Sequence, residues 1–147
     1  MTGQLNILIA EDSDDDYEFL TRAIKRSDFA TSTVSRARTG QELIDEVTGL
    51  VKTDAPKPDL ILLDLNMPGV DGREALTHLK NNVDTRAIPV VIMTTSNSEQ
   101  DLRSCYLGGA NSYVQKPLDF SELVEAVDSI TKYWFDTVLL PSSYANR

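Results

Sequence analysis

The sequence predicts an α/β protein, a doubly wound sheet of five parallel strands with a helix after each. Three observations predict it. Short aliphatic runs alternate with segments of helical period along most of the chain. The most apolar run, Leu60-Ile-Leu-Leu, has no polar alternation, the mark of a strand buried on both faces of a parallel sheet. Four of the runs end in polar residues, and open parallel sheets place their ligand edge at the carboxyl ends of the strands.

In order, residues 5–10 form the first strand, ending at Glu11-Asp12. Helix 1 is expected over 14–26. Tyr17, Leu20, Ala23 and Ile24 fall on one face, Asp14, Asp15 and Asp16 occupy its first turn, and Lys25 and Arg26 its last. Dipole compensation and capping account for the three first-turn acids. Glu11 and Asp12 precede the helix, where two adjacent acids repel unless a cation is present. Residues 33–37 form a weak second strand. Helix 2 begins at Thr39-Gly40 and turns Leu43, Ile44, Val47, Leu50 and Val51 inward. Residues 52–58, with two prolines, form a loop and not a domain linker.

The central strand ends in Asp64, followed by the turn-forming Met67-Pro-Gly-Val-Asp-Gly72. Helix 3 buries Ala75, Leu76 and Leu79. Val90-Val-Ile-Met93 is the fourth strand and leads to Thr94-Thr95. Helix 4 covers about 98–107 and stops at Gly108-Gly109. Residues 112–114 make a short fifth strand before Lys116-Pro117. Helix 5 starts near Asp119 or Ser121 and carries Leu123, Val124, Val127 and Ile130. Cys105 in helix 4 is expected to be a small buried hydrophobe and His78 in helix 3 to be solvated.

Composition excludes several classes. The 147 residues suffice for one domain with a real core. There is no apolar run of about 20 residues and no signal-peptide pattern. The net charge of −9 disfavours nucleic acid and anionic membranes as partners. A single cysteine fits a reducing, cytoplasmic setting.

The predicted topology gathers Glu11, Asp12, Asp64, Thr94 and Lys116 at one sheet edge. Each alone has a plain explanation: turn former, strand former or solvated lysine. Together they suit phosphoryl transfer. Glu11, Asp12 and Asp64 offer hard oxygens to Mg²⁺, and Asp64 is the nucleophile that becomes an acyl phosphate. Lys116 brings a point positive charge and Thr94 a hydroxyl.

With these residues the chain resembles the receiver domain of two-component response regulators, a flavodoxin-like fold. The match rests on Glu11-Asp12, Asp64 within Asp-Leu-Asn-Met-Pro-Gly-Val-Asp-Gly72, Thr94 and Lys116-Pro117, with fitting spacing between them. The resemblance implies phosphoryl transfer from a sensor histidine kinase to Asp64. It implies the Asn66 main-chain carbonyl as a further metal ligand and a cis peptide at Lys116-Pro117. It implies a switch in which Thr94 moves toward the phosphoryl group and Tyr113 turns into the vacated space, altering the surface of helix 4, strand 5 and helix 5.

The segment Tyr133-Trp-Phe-Asp-Thr-Val-Leu-Leu-Pro141, and the long connection before the central strand, resemble the single-domain regulators of bacterial and cyanobacterial phytochromes. Residues 1–133 are expected to form the receiver domain and 134–147 a further arm. Trp134, Phe135, Val138, Leu139 and Leu140 have no obvious remaining core to fill, so the arm is expected to make a homodimer, as the resemblance also implies; the alternative is a tail folded back on helix 5. No DNA-binding effector is expected after helix 5. Output then runs through protein contact or onward transfer to a histidine phosphotransfer protein. A haloacid-dehalogenase-like phosphatase also uses a strand-end Asp, but needs a second acid where this chain has Asn66. A flavin carrier needs a first loop that welcomes phosphate, and this one is acidic. A phosphorylation-independent scaffold has no use for five intact site positions.

Overall fold

A computed structural model describes residues 5–27 and 33–141. Strands β1 (Asn6–Ala10), β2 (Thr33–Ala37), β3 (Leu60–Leu63), β4 (Val90–Thr94) and β5 (Ser112–Gln115) form one parallel sheet in the order β2-β1-β3-β4-β5. Helices α1 (Asp14–Lys25), α2 (Gly40–Lys52), α3 (Gly72–Lys80), α4 (Glu99–Leu107) and α5 (Phe120–Lys132) alternate with them. The predicted fold class is the observed one. The strand order reverses between β1 and β3, and a crevice opens at such a switch point beyond the carboxyl ends of the strands.

Two apolar layers cover the sheet. Leu8, Ile61, Leu63, Val90 and Ile92 face α2 and α3 through Leu43, Val47, Leu76 and Leu79. Ile7, Ile9, Leu60, Leu62, Val91 and Met93 face α1 and α5 through Leu20, Ile24, Leu123 and Val127. β3 and β4 are buried throughout, which is why their sequences lack alternation. Leu50 and Val51 are only half-buried, so the inward face of α2 is carried by Leu43 and Val47. Cys105 is buried and His78 exposed, as expected.

Each helix start has its own stop for the orphan backbone N–H groups. Ser13, Thr39, Asp71, Ser98 and Asp119 accept from N–H groups in the first turns of α1 to α5. At the far end of the sheet Lys80 serves as an internal staple. Its ammonium donates to the carbonyls of Arg86 and Ile88 at 3.0 and 2.8 Å and to Asn111 Oδ1 at 3.2 Å. Burial pushes its pKa down, so those three acceptors are what keep the charge tolerable there.

The tail departs from expectation. Helix α5 runs on into a π-helical turn, Tyr133–Thr137, and the widened turn swings Phe135 inward. Phe135 and Leu140 are buried in the same layer as Ile7, Leu20 and Val127. Trp134 packs partly against that layer and Val138 is half-buried. Only Leu139, 68% exposed, stands fully clear. The premise that the five large apolar residues lack a core of their own therefore fails for Phe135 and Leu140. Residues 142–147 of the expected arm lie outside the described residues. Phe135→Ala should cost about 3–5 kcal/mol in urea denaturation and Leu139→Ala about 0.5 kcal/mol or less. Equal losses for the two would mean that the tail is not part of the core.

Candidate functional site

Sheet hydrogen bonding continues past the strand ends and fixes the site backbone. The N–H of Glu11 donates to the Ala37 carbonyl at 3.0 Å, that of Asp64 to Ala10 at 3.1 Å and that of Lys116 to Thr94 at 2.6 Å. Every expected residue is thereby held at one edge. Glu11 and Asp12 follow β1, Asp64 follows β3, Thr94 closes β4 and Lys116 follows β5.

Lys116 is the hub. Its Nζ lies 2.6 Å from Glu11 Oε1, 3.3 Å from Asp64 Oδ2 and 3.5 Å from Asp16 Oδ2. Burial works against the ammonium, but the hydrogen bond to Glu11 and the charges of Asp64, Glu11 and Asp16 outweigh it and hold the pKa above its ordinary value. Glu11 is 3% exposed, and that burial pushes its carboxyl up to about 7 against the pull of Lys116, with Asp64 adding to the rise. The other carboxylate oxygens are oriented by backbone. Ser13 N–H donates to Glu11 Oε2 and Asn66 N–H to Asp64 Oδ1, each at 3.2 Å.

Glu11, Asp12 and Asp64 each present a carboxylate oxygen, and these atoms lie within 4.8 Å of one another. Glu11 and Asp64 are buried while Asp12 is exposed, so the trio opens to solvent on one side. Three hard anionic donors against one ammonium leave a deficit of positive charge, and the trio fits a small divalent cation.

Arg36 and Arg38 were not anticipated. Arg36 Nε donates to the Glu11 carbonyl at 3.0 Å, and both guanidiniums reach Asp14 Oδ1 at 2.8 Å. Arg36 also stacks on Tyr17, 4.5 Å from the ring centroid. Those arginines hold the Asp14 carboxyl below the usual range. Asp14 thus tethers the acidic loop to the end of β2, and Asp16 leans toward Lys116, so helix compensation alone does not account for these acids.

Thr94 is fully buried and its Oγ1 accepts from Ser96 N–H at 3.3 Å. Tyr113 is half-buried against the α2–α3 layer, and its hydroxyl donates to the Ser96 carbonyl at 3.1 Å. One expectation is corrected. There is no cis peptide among the described residues, so Lys116-Pro117 is trans. Trans is the lower-energy isomer of an X–Pro bond, and Lys116 reaches Glu11 and Asp64 from it.

The sequence matches the response regulator receiver domain family over residues 7–128. The chain belongs to that family. It is 37% identical to response regulator Rcp1 of Synechocystis sp. over 93% of each chain. It is 39% identical to the probable methanogenesis regulatory protein FilR2 of Methanothrix harundinacea, over 87% of this chain and 82% of that one. Among solved structures, the phosphorylated cyanobacterial phytochrome response regulator RcpA superposes with a TM-score of 0.87 at 34% identity, covering 95% of this chain and 99% of that one. The Mn²⁺-bound form of Rcp1 superposes with a TM-score of 0.81 at 35% identity, over 93% and 99%.

The turn after Asp64 depends on two glycines. Gly69 sits at φ +69°, which side chains rarely adopt. Gly72 packs the start of α3 directly on the site strand: a Cβ there would lie 2.1 Å from the Asp64 carbonyl oxygen and 2.7 Å from Leu65 Cα. Backbone, not a flexible side chain, is in the way. Gly72→Ala should therefore lose on the order of 1–3 kcal/mol in urea denaturation, as overpacked sites do. Unchanged stability would show that α3 is free to move off β3.

Proposed function

We propose that this receiver is a single-domain response regulator that takes a phosphoryl group onto Asp64 from a sensor histidine kinase in a phosphorelay. The observation that carries the reading is the Lys116 ammonium poised between Asp64 and Glu11 beside a carboxylate trio. In the transfer the P–N bond of a phosphohistidine breaks and a bond from an Asp64 carboxylate oxygen to phosphorus forms. The imidazole leaves with the electron pair of the broken bond, and the product is an acyl phosphate.

Glu11, Asp12 and Asp64, with the Asn66 main-chain carbonyl, are the residues that would hold the cation, Mg²⁺ in this reading. The Mn²⁺-bound relative supports a divalent ion. The bound cation supplies positive charge to the phosphoryl oxygens. Lys116 stays within reach of Asp64 and balances the added negative charge. Thr94 offers the buried hydroxyl at the neighbouring strand end, and Tyr113 reports its position at the α4–β5–α5 surface. The chain is in this sense a phosphoacceptor and not an enzyme acting on a separate substrate. The RcpA and Rcp1 likenesses support a phytochrome-type kinase as donor. A histidine phosphotransfer protein is the natural recipient for onward flow. None of the described helices is long and apolar enough to cross a membrane. The proposed setting is cytoplasmic, and the net charge of −9 disfavours nucleic acid and anionic membranes as partners.

Incubation with a phosphorylated kinase should label the wild type, and the label should be lost in Asp64→Ala and in the wild type with excess chelator. Undiminished label in either case sinks the assignment.

A homodimer remains part of the proposal, on altered grounds. Leu102, Tyr106 and Leu107 of α4, Leu118 before α5, and Tyr133 and Leu139 are exposed large apolar residues, and such surface favours self-pairing about a two-fold axis. Truncating the tail would remove the buried Phe135 and Leu140, so single substitutions are the cleaner test. The full chain should sediment as a dimer at micromolar concentration, and Leu107→Glu combined with Leu139→Glu as a monomer. A monomeric wild type defeats the idea.

A further inference from the structure

A continuous polar chain joins the start of α3 to both expected switch residues. Asp71 caps α3 by accepting from Arg73 N–H at 3.0 Å and Glu74 N–H at 3.2 Å. The Arg73 guanidinium also meets Asp71 Oδ2 at 3.2 Å, then reaches across to α4. There Nε and Nη2 grip the two carboxylate oxygens of Asp101 at 2.8 Å each. Asp101 Oδ2 accepts from the Ser96 hydroxyl at 2.7 Å. Ser96 in turn touches both switch residues, its N–H on Thr94 Oγ1 and its carbonyl on the Tyr113 hydroxyl.

The plain explanation of Asp101 is the acidic half of a capping box with Ser98, four positions of local bookkeeping. The geometry differs. Ser98 Oγ does accept from Asp101 N–H, but Ser98 N–H donates to Ser96 Oγ and not to Asp101. The Asp101 carboxylate is spent on Arg73 and Ser96. An exposed ion pair is ordinarily worth little. This one is a two-bond fork, the Asp101 side chain is 17% exposed, and it belongs to a network, the conditions under which such pairs matter.

We propose that Arg73 and Asp101 are positioning residues that latch the β4–α4 loop to the start of α3 and hold Ser96 where it orders Thr94 and Tyr113. The inference rests on the reading of those two as the switch of the phosphoacceptor. Gly72, the neighbour of Arg73, is seated against the Asp64 backbone. The latch therefore references the switch loop to the turn that carries the acceptor. Without it Ser96 keeps its place only through weaker local contacts, and the Tyr113 hydroxyl loses a fixed acceptor.

The test uses the full chain with its tyrosines replaced by 3-fluorotyrosine, the Tyr113 signal being the one that vanishes in Tyr113→Phe. Arg73→Ala and Asp101→Ala should each shift or broaden that signal. The double variant should show the displacement of a single one, because both break the same link. Arg73→Lys, which keeps the charge and loses the fork, should fall between wild type and Arg73→Ala. Circular dichroism checks folding, and Asp101→Asn replaces Asp101→Ala if the latter does not fold. A Tyr113 signal unmoved in folded variants, or displacements that add in the double variant, overturns the latch. Labelling of Asp64 in the same samples keeps the two readings apart. Label should still enter the variants, and a wild type that takes no label defeats the acceptor assignment while the unlabelled Tyr113 signals still decide the latch.

Discussion

Two carboxylates are buried at the end of this sheet, and one ammonium makes that burial tolerable. Lys116 lies within 3.3 Å of both Glu11 and Asp64. An isolated carboxylate buried this far would take up a proton or pull in water. Removing one partner from a buried ion cluster commonly costs several kcal/mol, because the remaining charges stay buried and unpaired. The lysine can do this only because β5 is parallel to β4 and in register with it, so that its N–H reaches the Thr94 carbonyl. Topology and electrostatics are therefore one constraint. The strand order that places β1 beside β3 brings Glu11 to Asp64, and the order that adds β4 and β5 brings the hydroxyl and the cation. The balance is deliberately incomplete. Burial leaves Glu11 easy to protonate in spite of the ammonium, and a single ammonium for three converging carboxylates leaves the trio receptive to a divalent ion.

The parts of this arrangement that were legible in the sequence are those written by burial. Leu60 to Leu63 and Val90 to Met93 are strands because nothing polar interrupts them, and each stops where a functional residue starts. Cap residues marked the helix starts to within a residue or two. The links that were not legible are those between side chains far apart in sequence and ordinary in type. Arg73 and Asp101 look like any surface pair of a helical protein, and only the approach of α3 to α4 sets their fork. Arg36 lies in the weak second strand and Arg38 just past it, with nothing in either to mark a role, yet they hold the acidic loop from the side. The trans Lys116-Pro117 bond was out of reach for another reason: either isomer is compatible with the same residues, and the resemblance pointed to the other one.

The tail shows how composition misleads when the end of a helix is taken as the end of a core. Five apolar residues after α5 suggested a surface seeking a partner. The π-helical turn changes the phase and sends Phe135 inward; the chain then becomes extended at Val138, with Leu140 buried in the same layer and Leu139 outside. Hydrophobic period alone does not reveal a widened turn, since one inserted residue moves every later side chain by about 100°. The consequence reaches function. A tail anchored at two buried points, Phe135 and Leu140, is seated on the layer that α1 and α5 share, so whatever binds Leu139 and Tyr133 meets a surface placed by α5. That helix packs against α1, whose first turn carries Asp16 beside Lys116. Val114 of β5 packs against the same layer as α5. Tyr133 and Leu139 thus follow α5, and α5 packs on the helix that carries Asp16 beside Lys116.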